Sequence, residues 1–299
     1  MAEKLARAAL PILDGTDQLL DRTATAVGNA SRTVKFLRNR ARFVSRPNDV
    51  FVASYPRSGT TWTQVITYLL VSGGDDLSFD HLAKVAPWWE RSLAHRTDAA
   101  ENLAHLPGRR VFKSHLPRRW LPEDARCLYV WRNPADVAVS YYHLYQRYLG
   151  FRGPFAEFFA RFLRGDVQYG SWFRHVAGWR RLAGDPRVLI LPYEDMRTSA
   201  KTWIRRIAAF LEIEVDDRRV AAIARHTDLS HMKAAHQKFD HVGELCIQWG
   251  IREGEFIREG KTDRGAGFLS PDQRAALARR QAISVSYPSF EWRLASFLH

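Results

Sequence analysis

The strongest chemical signal in the chain lies between Asp49 and Trp62, where a short apolar run leads through a compact turn into a helical pattern. Val50 to Val52 has the composition of a buried parallel strand, and Thr60 to Val71 has the apolar spacing of a helix. Such a turn directs backbone N–H groups and the positive end of the helix dipole towards one point. It contains a fixed cation, a glycine and three hydroxyl groups, from Arg57, Ser58, Gly59, Thr60 and Thr61. The segment therefore predicts an anion hole that suits a phosphate.

Two other interpretations of this turn stay open. The turn lacks the Gly-Lys-Ser/Thr ending and the long glycine loop of a P-loop, which disfavours a kinase or ATPase that binds a Mg²⁺-nucleotide. An ordinary strand-turn-helix without a ligand is the second alternative. We favour a site for a different anion.

A second motif follows a strand pattern that spans Arg110 to Lys113. The two-residue period of a strand places Lys113 and His115 on the same side, at the carboxyl end where ligands bind in parallel sheets. A lone histidine after a strand is more often structural than catalytic. The Lys-x-His pair is the better candidate, because the two side chains can converge on one site.

A third motif runs from the strand pattern Arg126 to Trp131 into a helix pattern that begins at Pro134. Arg132 leaves the strand end and Ser140 follows about two helical turns later, so both side chains can approach one phosphate. Alternatively, Arg132 pairs with Asp136 merely to close the turn.

These three motifs resemble those of the sulfotransferases that use 3′-phosphoadenosine 5′-phosphosulfate (PAPS). Tyr55 to Trp62 closely matches the family's phosphosulfate-binding loop. Lys113 to Pro117 is similar to its Lys-Thr-His-Leu-Pro element, and Tyr129 to His143 matches its 3′-phosphate motif almost continuously. The resemblance extends over roughly Asp49 to Asp272 and implies a PAPS-dependent sulfotransferase of the cytosolic type, with no metal cofactor.

The resemblance also implies roles for individual residues. His115 would be the general base, Lys113 and Arg57 would oppose negative charge at the transferring sulfuryl group, and Arg132 with Ser140 would hold the 3′-phosphate. Arg57 stands where the family commonly has a lysine; it keeps the charge but cannot donate a proton. Its implied role is therefore electrostatic.

Weaker matches lie further along the chain. The resemblance implies a nucleotide contact from Tyr193 in Tyr-Glu-Asp-Met, an adenine-side position for Thr227, and adenine stacking by Trp62. A buried core tryptophan is an equally good interpretation of Trp62.

The C-terminal phosphate clamp departs from the family pattern. Arg258 and Gly260 are retained in Phe-x-Arg-x-Gly and are the implied cofactor contacts, but Glu259 replaces a lysine and would repel a phosphate. The following Gly-Asp-Trp-Lys element is absent from residues 263–266. Either Lys261 or Arg264 supplies a basic contact in its place, or this contact is missing. No dimerisation motif is recognisable downstream, so the sequence predicts no oligomeric state.

The order of patterns predicts one α/β domain, residues 49–299, with a central parallel sheet flanked by helices. A fourth strand is expected from Arg187 to Leu191, and helices from Pro134 to Tyr148, Ser199 to Leu211 and Pro271 to Ser286. Residues 1–48 read as an appended group of helices broken at Asp14-Gly15 and Gly28-Asn29.

The second half of this N-terminal extension is strongly basic. Six cations occur there without an acidic residue, at Arg32, Lys35, Arg38, Arg40, Arg42 and Arg46. Val34, Leu37, Ala41 and Val44 can share one helical face. We favour a solvated helix packed on the domain over an interfacial helix that contacts an anionic membrane.

The composition of the chain indicates which partners it binds and in which cellular compartment it is expected. The net charge of +13 predicts anionic partners, and no nucleic-acid recognition motif accompanies it. Two cysteines are too few for a disulfide framework, and no apolar run approaches a membrane span, so a cytoplasmic location is expected.

The acceptor is expected to be a hydroxyl compound. A hydrophobic alcohol, phenol or lipid-linked hydroxyl is favoured, and a carbohydrate is the main alternative. The aromatic residues that would wall its pocket are Phe79, Trp88, Trp89, Tyr142, Tyr145, Tyr148, Phe151, Phe239 and Trp249. A catalytically silent PAPS-binding protein is the other class of function that we consider, and the retained Lys113 and His115 argue against it.

Overall fold

A computed structural model describes residues 27–74, 76–239 and 267–284, and its centre is a parallel sheet. The four strands are β1 (Val50–Ser54), β2 (Val111–Ser114), β3 (Arg126–Trp131) and β4 (Val188–Pro192), in the spatial order β2-β1-β3-β4. Val50 pairs with both Val111 and Arg126, and Cys127 pairs with Val188. Because all strands run the same way, their carboxyl ends meet at one edge of the sheet.

Helices surround the sheet. They are α1 (residues 27–42), α2 (Thr60–Ser72), α3 (Leu82–Val85), α4 (Trp89–His95), α5 (Ala99–Ala104), α6 (Pro134–Tyr148), α7 (Phe155–Arg164), α8 (Trp172–Arg180), α9 (Tyr193–Thr198), α10 (Ala200–Phe210), α11 (Asp217–His226), α12 (Leu229–Ala234) and α13 (Pro271–Ser284). Short 3₁₀ turns lie at Arg118–Trp120 and His236–Lys238. The predicted fold class is confirmed, and the predicted bounds of α6 agree with the structure.

Side-chain alternation along β1 divides the core into two clusters. Phe51 and Ala53 belong to a cluster with residues of α4, α6, α7 and α8, whereas Val50 and Val52 belong to a cluster with residues of α2, α10 and α11. Successive residues of a strand point to opposite faces, so both faces of the sheet are covered. The result is three layers, helices over sheet over helices, with the sheet edge left to build a site.

The helix α1 corrects one expectation from the sequence. Gly28 and Asn29 lie inside it, so the predicted break at this pair is wrong. Phe36 is fully buried against Trp89 and Trp120, at centroid distances of 5.9 and 6.1 Å. The described part of the extension therefore packs on the neighbouring structure; the predicted break at residues 14–15 lies outside the described residues.

Among the residues that the structure describes, no helix is both long and apolar enough to cross a bilayer. Nor does the described part of the chain contain three or more His, Cys, Asp or Glu side chains grouped to hold a metal ion. The expected core position of one cysteine is confirmed, because Cys127 is fully buried; Cys246 lies outside the described residues.

Candidate active site

The turn between β1 and α2 has a backbone that only particular residues can adopt. Arg57 has φ of 69° and Gly59, the N-cap of α2, has φ of 99°. A Cβ atom on Gly59 would lie 2.4 Å from Cδ2 of Tyr193, so glycine is required for packing as well as for conformation. Ser54 Oγ and Thr60 Oγ1, 2.5 Å apart, join the two ends of the turn. The turn is thereby held in one shape.

This turn offers unused hydrogen-bond donors. The first intrahelical bond of α2 runs from Thr63 N to Gly59 O, so the preceding N–H groups have no acceptor within the helix. Ser58 Oγ and Trp62 Nε1 are buried and have no hydrogen-bond partner among the described residues. Buried polar atoms are normally satisfied, so these donors fit an anionic ligand held against the turn.

The third motif meets this turn because β1 and β3 are adjacent. Arg57 Nε donates to Ser140 Oγ over 3.0 Å, and Arg132 Nη1 donates to Arg57 O over 3.3 Å. The guanidinium of Arg132 also lies 4.5 Å from the ring centroid of Tyr193. The alternative pairing of Arg132 with Asp136 is present as well, at 3.9 Å, so Arg132 closes its turn and faces the loop at once.

The predicted adenine-side residues are only partly brought together. The rings of Trp62 and Tyr193 meet edge to face at 5.8 Å, and Arg197, which the sequence analysis missed, lies 5.9 Å from Trp62. Trp62 is half-buried rather than enclosed in the core. Thr227 donates its hydroxyl to Ile223 O within α11, and this contact does not join it to the turn. Arg258 and Gly260 lie outside the described residues.

His115 is buried at the carboxyl end of β2, beside the turn. Its Nδ1 lies 2.8 Å from the backbone oxygen of Ser54, an atom that can only accept, so Nδ1 carries the ring hydrogen. Burial, and then the charge of Lys113, hold the pKa of His115 well below its usual value. The ring is therefore neutral, and its Nε2 atom has a free lone pair that can take a proton.

Lys113 lies two residues earlier and is also buried. Its Nζ is 3.8 Å from the ring centroid of Trp88. Burial, with contributions from the positive charges of Arg91 and Arg57, lowers the pKa of Lys113 to about 7, and the charge of Glu90 opposes the shift. Lys113 therefore gains and loses its proton in the neutral pH range, unlike an exposed lysine.

Three residues around His115 were missed from the sequence. Glu90 Oε1 accepts the backbone N–H of His115 over 2.7 Å. Tyr169, with φ of 66°, has its ring 5.2 Å from that of His115. His175 Nε2 donates to His115 O over 3.0 Å, while its Nδ1 accepts from Tyr129. None belongs to a motif; only the fold makes them neighbours.

The structure places only some of the aromatic residues predicted for the acceptor pocket near His115. Trp88 meets His115 edge to face at 5.1 Å, as a pocket residue would. Trp89 is instead fully buried in the core, so its assignment to the pocket is wrong. Five further candidates pack in or against the core clusters away from any described contact with His115: Phe79, Tyr142, Tyr145, Phe151 and Phe239. Tyr148 is half-buried in α6, and Trp249 lies outside the described residues.

Unpaired N–H donors at the strand ends of a parallel sheet, beside a buried lysine and a buried histidine, form an arrangement that suits an enzyme transferring a group from an anionic donor. The sulfotransferase domain model matches residues 47–279, and the chain belongs to that family. It is 38% identical over 205 residues to sulfotransferase 1B1 of Canis lupus familiaris, covering 65% of this chain and 69% of the relative. Luciferin sulfotransferase of Photinus pyralis is 32% identical over 278 residues, which cover 83% and 74%.

The solved structures agree with the sequence comparisons. Mouse sulfotransferase SULT7A1 complexed with PAP superposes with a TM-score of 0.69 and 27% identity over 86% of this chain and 90% of that one. These comparisons confirm the predicted fold and the predicted enzyme class, a PAPS-dependent sulfotransferase.

Proposed function

We propose that this protein transfers the sulfuryl group of PAPS to an acceptor hydroxyl, with His115 as the general base. The observation that carries the proposal is the hydrogen bond from Arg57 to Ser140, which are 83 residues apart in sequence. It joins the loop that suits a phosphosulfate to the motif that suits a 3′-phosphate. A nucleoside that carries phosphate groups on both the 3′ and the 5′ oxygen of its ribose matches that arrangement.

The proposal assigns the phosphosulfate, the 3′-phosphate and the nucleoside of PAPS each to one group of residues. The phosphosulfate lies against the turn, and the donors there come from Arg57, Ser58, Gly59, Thr60 and Thr61. The 3′-phosphate lies between Arg132 and Ser140, because a guanidinium and a hydroxyl are strong partners for phosphate oxygens. Trp62, Tyr193 and Thr227 hold the nucleoside, and Arg258 and Gly260 complete the clamp.

The proposed role of each residue in sulfuryl transfer depends on whether its side chain can accept a proton or carries a positive charge. Sulfuryl transfer, like phosphoryl transfer, requires the acceptor oxygen, the sulfur and the leaving oxygen to be aligned, with negative charge opposed on either side. His115 Nε2 takes the proton of the acceptor hydroxyl, and Arg57 and Lys113 oppose the charge on the sulfuryl group and the leaving phosphate. Arg57 cannot give up a proton, so its contribution is electrostatic.

The acceptor class follows from what flanks His115. The rings of Trp88 and Tyr169 both contact the ring of His115, and they stack on each other at a centroid distance of 6.4 Å. Aromatic surfaces beside the base suit a hydrophobic alcohol, a phenol or a lipid-linked hydroxyl better than a carbohydrate. The relative from Photinus pyralis, named for luciferin, also points towards a small organic acceptor.

An acceptor-library screen with PAPS labelled by ³⁵S tests the proposal directly. Transfer of the label to a phenol or an apolar alcohol, absent in a His115→Ala variant that still binds PAP, is the expected result. Tight PAP binding with no transfer to any acceptor would identify a silent PAPS-binding protein instead. Transfer only to sugars would overturn the acceptor class.

We further propose that the protein is cytoplasmic and contacts an anionic membrane surface through α1 and the residues that follow it. Four large apolar residues there are exposed: Val27 by 69%, Val34 by 64%, Leu37 by 44% and Val44 by 74%. The exposed side also includes Ala30 and Ala41 and therefore forms an apolar row that nothing described covers.

The basic residues of this segment divide into two groups. Arg38, Arg40 and Arg46 donate to backbone oxygens of Thr97, Trp120 and the end of α5, so they fasten α1 to the domain. Lys35 and Arg42, seven residues apart, share one flank of the apolar row. An apolar row with cations on its flank matches a membrane that carries anionic lipids.

A further inference from the structure

Glu90 is a buried carboxyl group at the start of α4, immediately behind the proposed base. Its Oε1 accepts two hydrogen bonds of 2.7 Å, from the backbone N–H of His115 and from Nε1 of Trp88. Its Oε2 is also buried. A carboxyl group placed in this way is costly unless a nearby positive charge compensates it.

Lys113 lies on strand β2 and packs its Nζ on the ring of Trp88, the same side chain whose Nε1 donates to Glu90. Glu90 raises the pKa of Lys113, whereas burial and the positive charges of Arg91 and Arg57 lower it. The other titratable neighbours are His115, beside Lys113, and Tyr169, beside Glu90. Glu90 is the acidic group in this set.

Burial raises the pKa of Glu90, and hydrogen bonds from Trp88, the backbone of His115 and the side chain of Ser114 oppose that shift because they stabilise the ionised form. Glu90 therefore connects three parts of the site: the backbone of His115, the ring of Trp88 and the charge of Lys113. None of these connections passes through a residue of the donor loop.

We propose that Glu90 is a positioning residue whose carboxylate raises the protonated fraction of Lys113 near neutral pH while it fixes the backbone of His115 and the ring of Trp88. The inference deepens the proposed function, since it relies on that function only for the roles of Lys113 and His115. Without the carboxylate, Lys113 would be mostly deprotonated near pH 7, and the sulfuryl group would lose one of its two cations.

The titration of Lys113 tests the proposal on the full-length protein without any acceptor. The ¹³Cε resonance of lysine reports its protonation, and the signal of Lys113 is identified by its loss in Lys113→Arg. We expect a midpoint near pH 7 in the parent protein. In Glu90→Gln the midpoint should fall by about one pH unit, which reduces the protonated fraction at pH 7 from about half to about one tenth.

Glu90→Gln separates charge from structure, because the amide oxygen still accepts from His115 and Trp88. A purely structural Glu90 would leave the midpoint of Lys113 unchanged in this variant, and that result would overturn the proposal. In Glu90→Asp, which keeps the negative charge, the titration midpoint of Lys113 should stay close to that of the parent protein. The exposed Glu214, changed to Gln, is the matched control and should leave it where it is.

A second measurement on the parent protein does not depend on whether Glu90→Gln folds. The ¹³C resonance of the Glu90 carboxyl should show the ionised form throughout the pH range in which Lys113 titrates. A protonated Glu90 at pH 7 would overturn the proposal. Failure of the proposed function looks different, because a protein that transfers no sulfuryl group would still show the coupled titrations of Glu90 and Lys113.

Discussion

His115 donates the hydrogen of Nδ1 to the backbone oxygen of Ser54 across 2.8 Å, a bond between the ends of two adjacent parallel strands. The bond fixes the tautomer, because a carbonyl oxygen can only accept. It also fixes the orientation of the ring relative to the turn that follows β1. The atom left to take a proton is Nε2.

His115→Ala should reduce turnover by a factor on the order of 10² or more, because it removes the proposed proton acceptor. PAP affinity should remain near that of the parent protein, since the proposed PAP contacts lie elsewhere. Steady-state kinetics with an acceptor found in the library screen, together with calorimetric titration of PAP, measure both quantities. Near-normal turnover at saturating acceptor would show that another group is the base.

Arg132→Ala and Ser140→Ala should weaken PAP much more than 5′-AMP, because their proposed partner is the 3′-phosphate. A charge-assisted hydrogen bond contributes about 1.5–3 kcal/mol, so Arg132→Ala should cost PAP roughly 10- to 100-fold in affinity. Competition binding of the two nucleotides measures the difference. Equal losses for both would place Arg132 and Ser140 at some other part of the nucleotide.

Gly59→Ala should destabilise the protein and abolish PAP binding, because its Cβ would lie 2.4 Å from the ring of Tyr193. Gly73→Ala is the matched control, since Gly73 also has a positive φ, of 78°, but no atom within 4 Å of a Cβ. Both variants carry the conformational cost, and Gly59→Ala should cost about 2 kcal/mol more in the free energy of unfolding. Urea denaturation measures this. Equal costs would show that Tyr193 moves away freely.

The free energy of unfolding should decrease as the pH falls from 6.5 towards 4, partly because His175 is buried as a neutral ring. Burial lowers the pKa of His175 from 6.5 to about 4, so the unfolded chain binds more protons in this interval. The contribution is on the order of 3 kcal/mol. Urea denaturation at pH 6.5 and 4.5 should show a smaller decrease in His175→Gln than in the parent, whereas exposed His105→Gln should behave like the parent.

The full-length protein should sediment with vesicles of anionic lipid, bind weakly to neutral vesicles, and bind less as the salt concentration rises. Val34→Asp and Leu37→Asp should remove the binding. Leu149→Asp is the control, because Leu149 is also exposed, by 40%, but lies at the end of α6. Point variants are preferable to deletion of α1, since deletion would expose the buried contacts of Phe36.

The outcomes of that experiment distinguish whether the exposed apolar row of α1 contacts a membrane or faces solvent. Loss of vesicle binding in the α1 variants alone would support the proposed contact between α1 and an anionic membrane. Equal binding by the parent, the α1 variants and Leu149→Asp would place the contact on another surface. Absence of binding by all of them would favour the solvated helix and an acceptor delivered from solution.

The sequence by itself determined the local elements that carry the chemistry. The strand-turn-helix from Val50 to Ser72 and the helix Pro134–Tyr148 follow from apolar periodicity, a glycine at the turn and a proline in a first helical turn, all of which act between near neighbours. The enzyme class was likewise readable from contiguous motifs.

Tertiary structure alone decided which of these elements meet. The strand order β2-β1-β3-β4 brings Arg57 to Ser140, and the packing of α4 and α8 brings Glu90 and His175 to His115. It also buried Trp89 while leaving Trp88 beside the base. The periodicity of apolar residues does not distinguish Trp88 from its neighbour Trp89. Contacts between residues that are 25 to 83 positions apart depend on how the helices pack on the sheet, and no local sequence pattern encodes that packing.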